Sequence, residues 1–275
     1  MIASSLRPAS VAELLAAARA GLLGPDPATL RAATAFRTSY GTRHPGRTGS
    51  YRNEVLSIRV GAAVGSCGCE PGAATDGLVD DCVAATVAEL LDHPSPQVRV
   101  AALDAYLMHS RPHPHAAGAE GTPVVIDGPT SLTKSRRRAE VVADLLPAGV
   151  CRVLVVGVVG SILAELRARS IGYVPCDLAG GVTEWGEPVF ESVTAAPSDY
   201  DALLVTGMTL GNRSFDELRA VALERGLPLV LFAQTGSAVL PWFLGGGVHA
   251  VSAEPYPFFS LDGGPSTLTT YRELP

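Results

Sequence analysis

From residue 124 onward the chain repeats one theme: a short run of Val and Leu, a loop, then a helix-length stretch. The runs are VVI at 124–126, RVLVVG at 152–157, GYVPC at 172–176, ALLVTG at 202–207, LPLVLFA at 227–233 and GVHAVS at 247–252. Apolar runs without alternation belong to strands buried on both faces, and both faces are covered when helices cross between parallel strands. The pattern therefore predicts an α/β fold with a Rossmann-like, mostly parallel sheet.

The first hundred residues read differently. Ser10 and Glu13 form a capping box ahead of an amphipathic helix over 10–22, and a short helix is expected at 27–33. Strands follow at 34–40, 53–60 and 62–66, then helices at 76–91 and 95–108, the last with Pro96 in its first turn, where a missing N–H is harmless. Strands followed by helices indicate a smaller α+β unit. The segment SRPHPHAAGAEGTP at 110–123 lacks apolar periodicity and reads as the linker, giving domains at 1–117 and 118–275.

Charge narrows the function classes. The 275 residues carry 27 acids against 21 Lys and Arg, a formal net charge of −6, whereas nucleic-acid binders usually hold a basic excess. No nucleic acid is expected as a partner. No apolar run reaches membrane-spanning length and no secretory leader is visible, so no membrane partner is expected either. The 5 cysteines are an odd, scattered set, unlike a disulfide framework, which fits a cytoplasmic location. Of the basic residues only Lys134 is a lysine, so amine chemistry would have one side-chain candidate. The composition names no cofactor and leaves room for a homo-oligomer.

In an open α/β sheet ligands gather beyond the carboxyl ends of the strands, so the loops there are the candidate site. After RVLVVG, Gly157 and Gly160 give a partial glycine fingerprint. Asp177 stands where a ribose diol would be held, or else caps a turn. In LLVTGMTLGNRSFDEL, Thr206, Gly207, Thr209 and Asn212 supply uncharged donors and acceptors ahead of a helix. The bend is a ligand cradle or a capped helix start. A second hydroxyl-rich bend, Thr235 to Ser237, follows the next strand. Arg136, Arg137 and Arg138 sit near a helix start, where they oppose the dipole: they form a solvated basic face or answer an anionic group.

The stretches DALLVTGMTLGNRSFDEL and LVLFAQTGSAVLPWFLGGGVHAVSA resemble the C-terminal Rossmann-like domain of bacterial and archaeal proteins labelled heavy-metal chelation proteins, and VAELLDHPSPQVRVAALDAYL resembles the end of their enolase-N-like N-terminal domain. The chain departs from that pattern at Met208 and at Gln234 to Ser237. The resemblance implies a small-molecule ligand between the two domains, connected with metal handling. It carries over Thr206, Gly207, Thr209, Asn212, Ser237 and Pro241.

Direct metal ligation has two candidate places. Cys67 and Cys69 form a C-x-C pair that on a strand shares one face, and His109, His113 and His115 cluster in the linker. Neither has a full donor set, and small buried cysteines are common. Catalysis needs a proton carrier that the cradle lacks. SYGTRHPGRTGSYRNE supplies Tyr40, His44, Arg43, Arg47 and Asn53 in a glycine-flanked loop. There His44 would be the acid/base and the arginines would fork an anion, or else the segment is a surface connection kept soluble by its arginines. The expectation is a metabolic enzyme holding a polar, anionic small molecule in the interdomain cleft, with His44, Tyr40 and Lys134 as catalytic candidates. The alternative is a non-catalytic metal or metallophore binder.

Overall fold

The computed structural model describes residues 6–44, 50–257 and 259–273. In chain order the elements are α1 (Val11–Arg19), β1 (Ala32–Thr42), β2 (Tyr51–Val60), β3 (Ala63–Cys69), α2 (Asp76–Cys82), α3 (Val87–Leu91), α4 (Pro96–Ser110), β4 (Thr122–Ile126), α5 (Ser131–Ala143), β5 (Arg152–Val156), α6 (Gly160–Ala168), β6 (Gly172–Cys176), β7 (Ala202–Thr206), α7 (Phe215–Arg225), β8 (Leu229–Ala233), β9 (Ala250–Ala253), α8 (Phe259–Asp262) and β10 (Ser266–Arg272).

The apolar runs form the expected sheet. Its seven strands lie in the order β4-β10-β9-β8-β7-β5-β6. The neighbours from β9 to β6 are parallel, whereas β10 is antiparallel to both β9 and β4. The chain reverses direction across the sheet between β5 and β7, because β6 lies on one side of β5 and β7 on the other. In open α/β sheets such a reversal is where a ligand crevice is expected. The strand β10 is absent from the sequence reading: STLTTYR is mostly polar, with Leu268 and Tyr271 as its apolar residues, yet it is paired on both sides.

The amino-terminal unit is an antiparallel sheet in the order β1-β2-β3, with α4 laid across β2 and β3. Gly65 permits this approach, since a Cβ there would lie 1.9 Å from Ala105 N and 2.4 Å from Ala101 O. Two expectations fail here for one reason. The helix over 27–33 is absent and the helix over 76–91 is broken, with Ala84 at φ +64. The backbone at 83–86 instead pairs with the entry to β1: Ala84 N–H donates to Ala32 O and Ala32 N–H to Ala85 O. A ladder between distant segments outweighs the helix propensity of Ala and Leu. Thr86 then restarts α3 with a capping box to Glu89.

Nor is the predicted linker a free tether. His113 and Pro114 are joined by a cis peptide, and Ala116 is buried. The two units share one apolar core that runs from Leu14 and Leu56 through Leu103 and Tyr106 to Leu203, Val239 and Trp242. Asp104 of α4 pins this seam. One carboxylate oxygen accepts Ser66 N–H of β3 and the other accepts Ala238 N–H, each at 2.8 Å, while Gly236 N–H donates to Ser66 O. Among the described residues no helix is long and apolar enough to cross a membrane.

Candidate functional site

The bend after β7 is built from its own polar groups. Thr209 is buried and its hydroxyl donates to Thr206 O at 2.7 Å, while Thr206 Oγ1 accepts Met208 N–H. Asn212 Oδ1 accepts both Ser214 N–H and Ser214 Oγ–H. Gly207 is needed because a Cβ would lie 2.7 Å from Thr235 O. The second bend is sealed in the seam: Ser237 is buried and lies 3.5 Å from His113 Nε2. The two bends are neighbours, but the hydroxyls of Thr206, Thr209 and Ser214 are engaged within the first turn, and Ser237 is buried facing His113 of the amino-terminal unit. This corrects the picture of a shared open cradle. The physical reason is that backbone groups buried beneath β3 and α4 require partners, and short hydroxyl side chains provide them.

At the β5–β7 reversal, Gly157 adopts φ +89 and a Cβ there would meet Thr206 Cγ2 at 2.5 Å, so the two strand ends close on each other. Gly160 opens α6, which has no side-chain cap. Asp177 accepts Val158 N–H at 2.9 Å and Ala179 N–H at 3.0 Å. Its carboxylate thus ties the β5 loop to the end of β6, which is the turn-capping role.

The remaining candidates gather elsewhere, where the β1–β2 hairpin meets α5 and the carboxyl ends of β8 and β9. Tyr40 and Asn53 are register partners with hydrogen-bonded side chains, and the Tyr40 ring stands 6.5 Å from Tyr256. Burial, then the neighbouring Tyr256 phenol, pushes the Tyr40 hydroxyl up to about 12. Thr38 Oγ1 lies 2.5 Å from Tyr256 Oη. His44 is buried with Nδ1 3.2 Å from Ser131 Oγ, at the first turn of α5. Arg43 lines an open hollow of about 540 Å³ at the hairpin end with Ser39, Ser50 and Arg52. Arg47 lies outside the described residues.

Lys134, one turn into α5, is buried and its ammonium donates to Gly263 O and Gly264 O. An amine fixed between two carbonyls is a tether for that loop. A nucleophilic role would first require these bonds to break.

The centre of this region holds two residues that the sequence reading did not single out as a pair. Arg138 forks onto Glu254, Nε to Oε2 at 2.6 Å and Nη2 to Oε1 at 2.7 Å. Glu254 is only 2% exposed in its side chain and Arg138 15%. Gln234 Nε2 and Ser266 Oγ also donate to Glu254. The anionic neighbour expected for the arginines of α5 is thus an internal carboxylate, together with Glu140 for Arg137. Glu254 was findable: it is an acid directly after an apolar strand, where α/β sheets place functional groups. Next to this cluster, Ser135 Oγ donates to Ser161 Oγ at 2.8 Å, joining the starts of α5 and α6.

Cys67 and Cys69 are buried, as are Cys82 and Cys176, whereas Cys151 is exposed. Cys69 is held below the usual thiol range chiefly by the hydrogen bond from Cys67, whose own thiol is raised by that bond and by burial. Of the linker histidines, His113 is pushed down to about 4 by burial and touches Tyr271, while His115 faces Glu120. Among the described residues no three His, Cys, Asp or Glu side chains gather as a metal site.

No protein-family model and no curated protein sequence matches the chain. Solved structures do. A protein of unknown function from the DUF364 family of Desulfitobacterium hafniense superposes with a TM-score of 0.56 at 14% identity, covering 88% of this chain and 92% of its own. A DUF364 family protein of unknown function from Pyrococcus horikoshii gives 0.53 at 12% identity, covering 79% and 88%. The likeness is one of fold, across both units.

Proposed function

We propose that the chain binds a small, polar, anionic metabolite in the crevice between the β1–β2 hairpin, the start of α5 and the carboxyl ends of β8 and β9, and acts on it as an enzyme of small-molecule metabolism. The observation that carries this reading is the buried Arg138–Glu254 pair beneath Tyr40 and Tyr256. A buried ion pair seldom adds stability over well-packed apolar residues, because both ions lose their hydration. Such a pair at the carboxyl edge of a parallel sheet, covered by a hairpin from another unit, fits ligand positioning better than it fits packing.

The roles follow from the chemistry of each group. With its hydroxyl raised to about 12, Tyr40 is a neutral phenol near pH 7, and it donates a hydrogen bond to a carboxylate or to a developing oxyanion. Asn53, bonded to Tyr40, orients that donor. Arg43, on the exposed hollow, meets the anion at the rim, and a guanidinium suits a two-pronged contact with carboxylate or phosphate. His44, held by Ser131 at the edge of the crevice, is the proton carrier, since imidazole ordinarily titrates near neutrality. Lys134 positions the 263–264 loop. The connection with metal handling implied by the sequence resemblance then concerns the ligand's chemistry rather than a resident ion.

A thermal-shift panel of carboxylates and phosphate esters tests the reading. At least one anion should stabilise the wild-type protein saturably, and Tyr40→Phe should weaken it about tenfold, as expected for loss of one hydrogen bond to a charged group. For that ligand, His44→Ala should lower turnover more than affinity. A ligand that binds Tyr40→Phe, Asn53→Ala and Arg43→Ala as it binds the wild type would place the site elsewhere.

A further inference from the structure

A second cavity, of about 230 Å³, opens between α1, the start of α4 and the bend after β7. Its volume equals roughly eight water molecules. Leu15, Val100, Leu210 and Phe215 form apolar walls, and two arginines line the same space, Arg99 half-buried and Arg213 exposed at its mouth.

The charges are unbalanced. Arg99 donates through Nη1 to His93 O at 2.7 Å and Pro94 O at 3.0 Å, which leaves Nε and Nη2 without a protein partner among the described residues. Arg213 has no hydrogen-bond or ion-pair partner there, and its backbone sits at φ +68, uncommon for a residue with a side chain. The nearby Arg19 is already tied to Asp92 and Leu91 O. Burial first, and then the charges of Arg213 and Arg19, hold Arg99 below its usual range, as expected of cations crowded without a counter-ion. The one acid on the wall, Asp216, is engaged: its two oxygens accept Val11 N–H at 3.1 and 3.2 Å. Two cations against one carboxylate leave a formal surplus of one positive charge.

We propose that this pocket is a binding site for a small monocarboxylate with a short aliphatic chain, its carboxylate between Arg99 and Arg213 and its chain against Leu15, Val100, Leu210 and Phe215. A singly charged group neutralises the surplus, and the paired donors of guanidinium match a carboxylate. The apolar walls select a guest with a hydrocarbon body over inorganic anions, and the small volume excludes nucleotides. The site is separate from the crevice beneath the hairpin and does not depend on the function proposed there.

The test uses pentanoate as probe, with pentanamide and acetate as controls, read by titration calorimetry on the full chain. Pentanoate should bind saturably, pentanamide at least about tenfold more weakly for want of a charge, and acetate more weakly for want of a chain. In R99Q/R213Q the pentanoate affinity should fall about tenfold or more, with the near-UV circular dichroism unchanged. Tyr40→Phe, altered only in the crevice, should bind pentanoate as the wild type does. Equal binding of pentanamide or acetate overturns the proposal, as do retention of affinity in R99Q/R213Q, loss of it in Tyr40→Phe, or no saturable binding at all. The comparison of pentanoate with pentanamide on the wild-type protein decides the matter even if the double variant fails to fold.

Discussion

Asp104→Asn replaces the carboxylate that joins β3 to the bend after β8, and its effect should depend on pH in a specific way. Asn Oδ1 can accept only one of the two N–H groups that Asp104 now holds, from Ser66 and Ala238, and its NH2 group faces the other. Leaving one buried N–H unpaired costs about 1–3 kcal/mol. Superimposed on this is a proton. Burial raises the Asp104 carboxyl to about 7, against the lowering influence of the N–H donors of Ser66, Ala238 and Gly236. A carboxyl raised on folding binds its proton more tightly in the native state. Its contribution to stability is therefore complete below the unfolded pKa and is lost as pH rises through about 4 to 7. Between pH 8 and pH 5 the wild type should gain about 2.7 kcal/mol over the variant, two units at 1.36 kcal/mol each.

His113, close by through Ser237, pulls the other way. Lowered to about 4 by burial, it favours the native state above pH 6.5 and disfavours it as pH falls towards 4. It is present in both proteins, so the difference between wild type and variant isolates Asp104. Urea unfolding followed by the fluorescence of Trp242, which is buried at the seam, measures the gap at both pH values. A gap that is equal at pH 5 and pH 8, or narrower at pH 5, would refute the reasoning. It would mean that the three N–H donors outweigh burial and keep Asp104 ionised.

Two further outcomes are expected. Arg138→Ala should destabilise by about 3–5 kcal/mol because it leaves a buried Glu254 unpaired. The double variant R138M/E254L should regain most of that loss in the same urea assay while abolishing ligand-induced stabilisation; retained ligand response would show that the pair serves packing alone. Gly65→Ala should cost about 3 kcal/mol or more, since the new Cβ meets backbone atoms of α4 that cannot step aside. A variant with near-wild-type urea midpoint would mean that α4 does not lie so close to β3.

The parallel sheet was legible in the local pattern of the chain. Uninterrupted apolar runs such as RVLVV and ALLVT have no stable alternative to burial on both faces, so their assignment needs no knowledge of partners. The helix start at Ser10 was legible too, because a cap is a contact between residues three apart, whereas Thr86 lay inside a stretch that read as one helix. Tyr40, His44 and Asn53 were legible as a polar segment, but not that Tyr40 and Asn53 pair across the β1–β2 hairpin or what they face. The pairing of 83–86 with β1, the entry of β10 between β4 and β9, and the burial of Ser237 against His113 came from the tertiary structure alone. It alone brought Arg138 to Glu254, 116 residues apart. Each of these contacts joins segments distant in sequence. Its free energy depends on burial and partner geometry that no local pattern encodes, and so a polar residue reads the same before folding whether it will meet a ligand or a neighbouring strand.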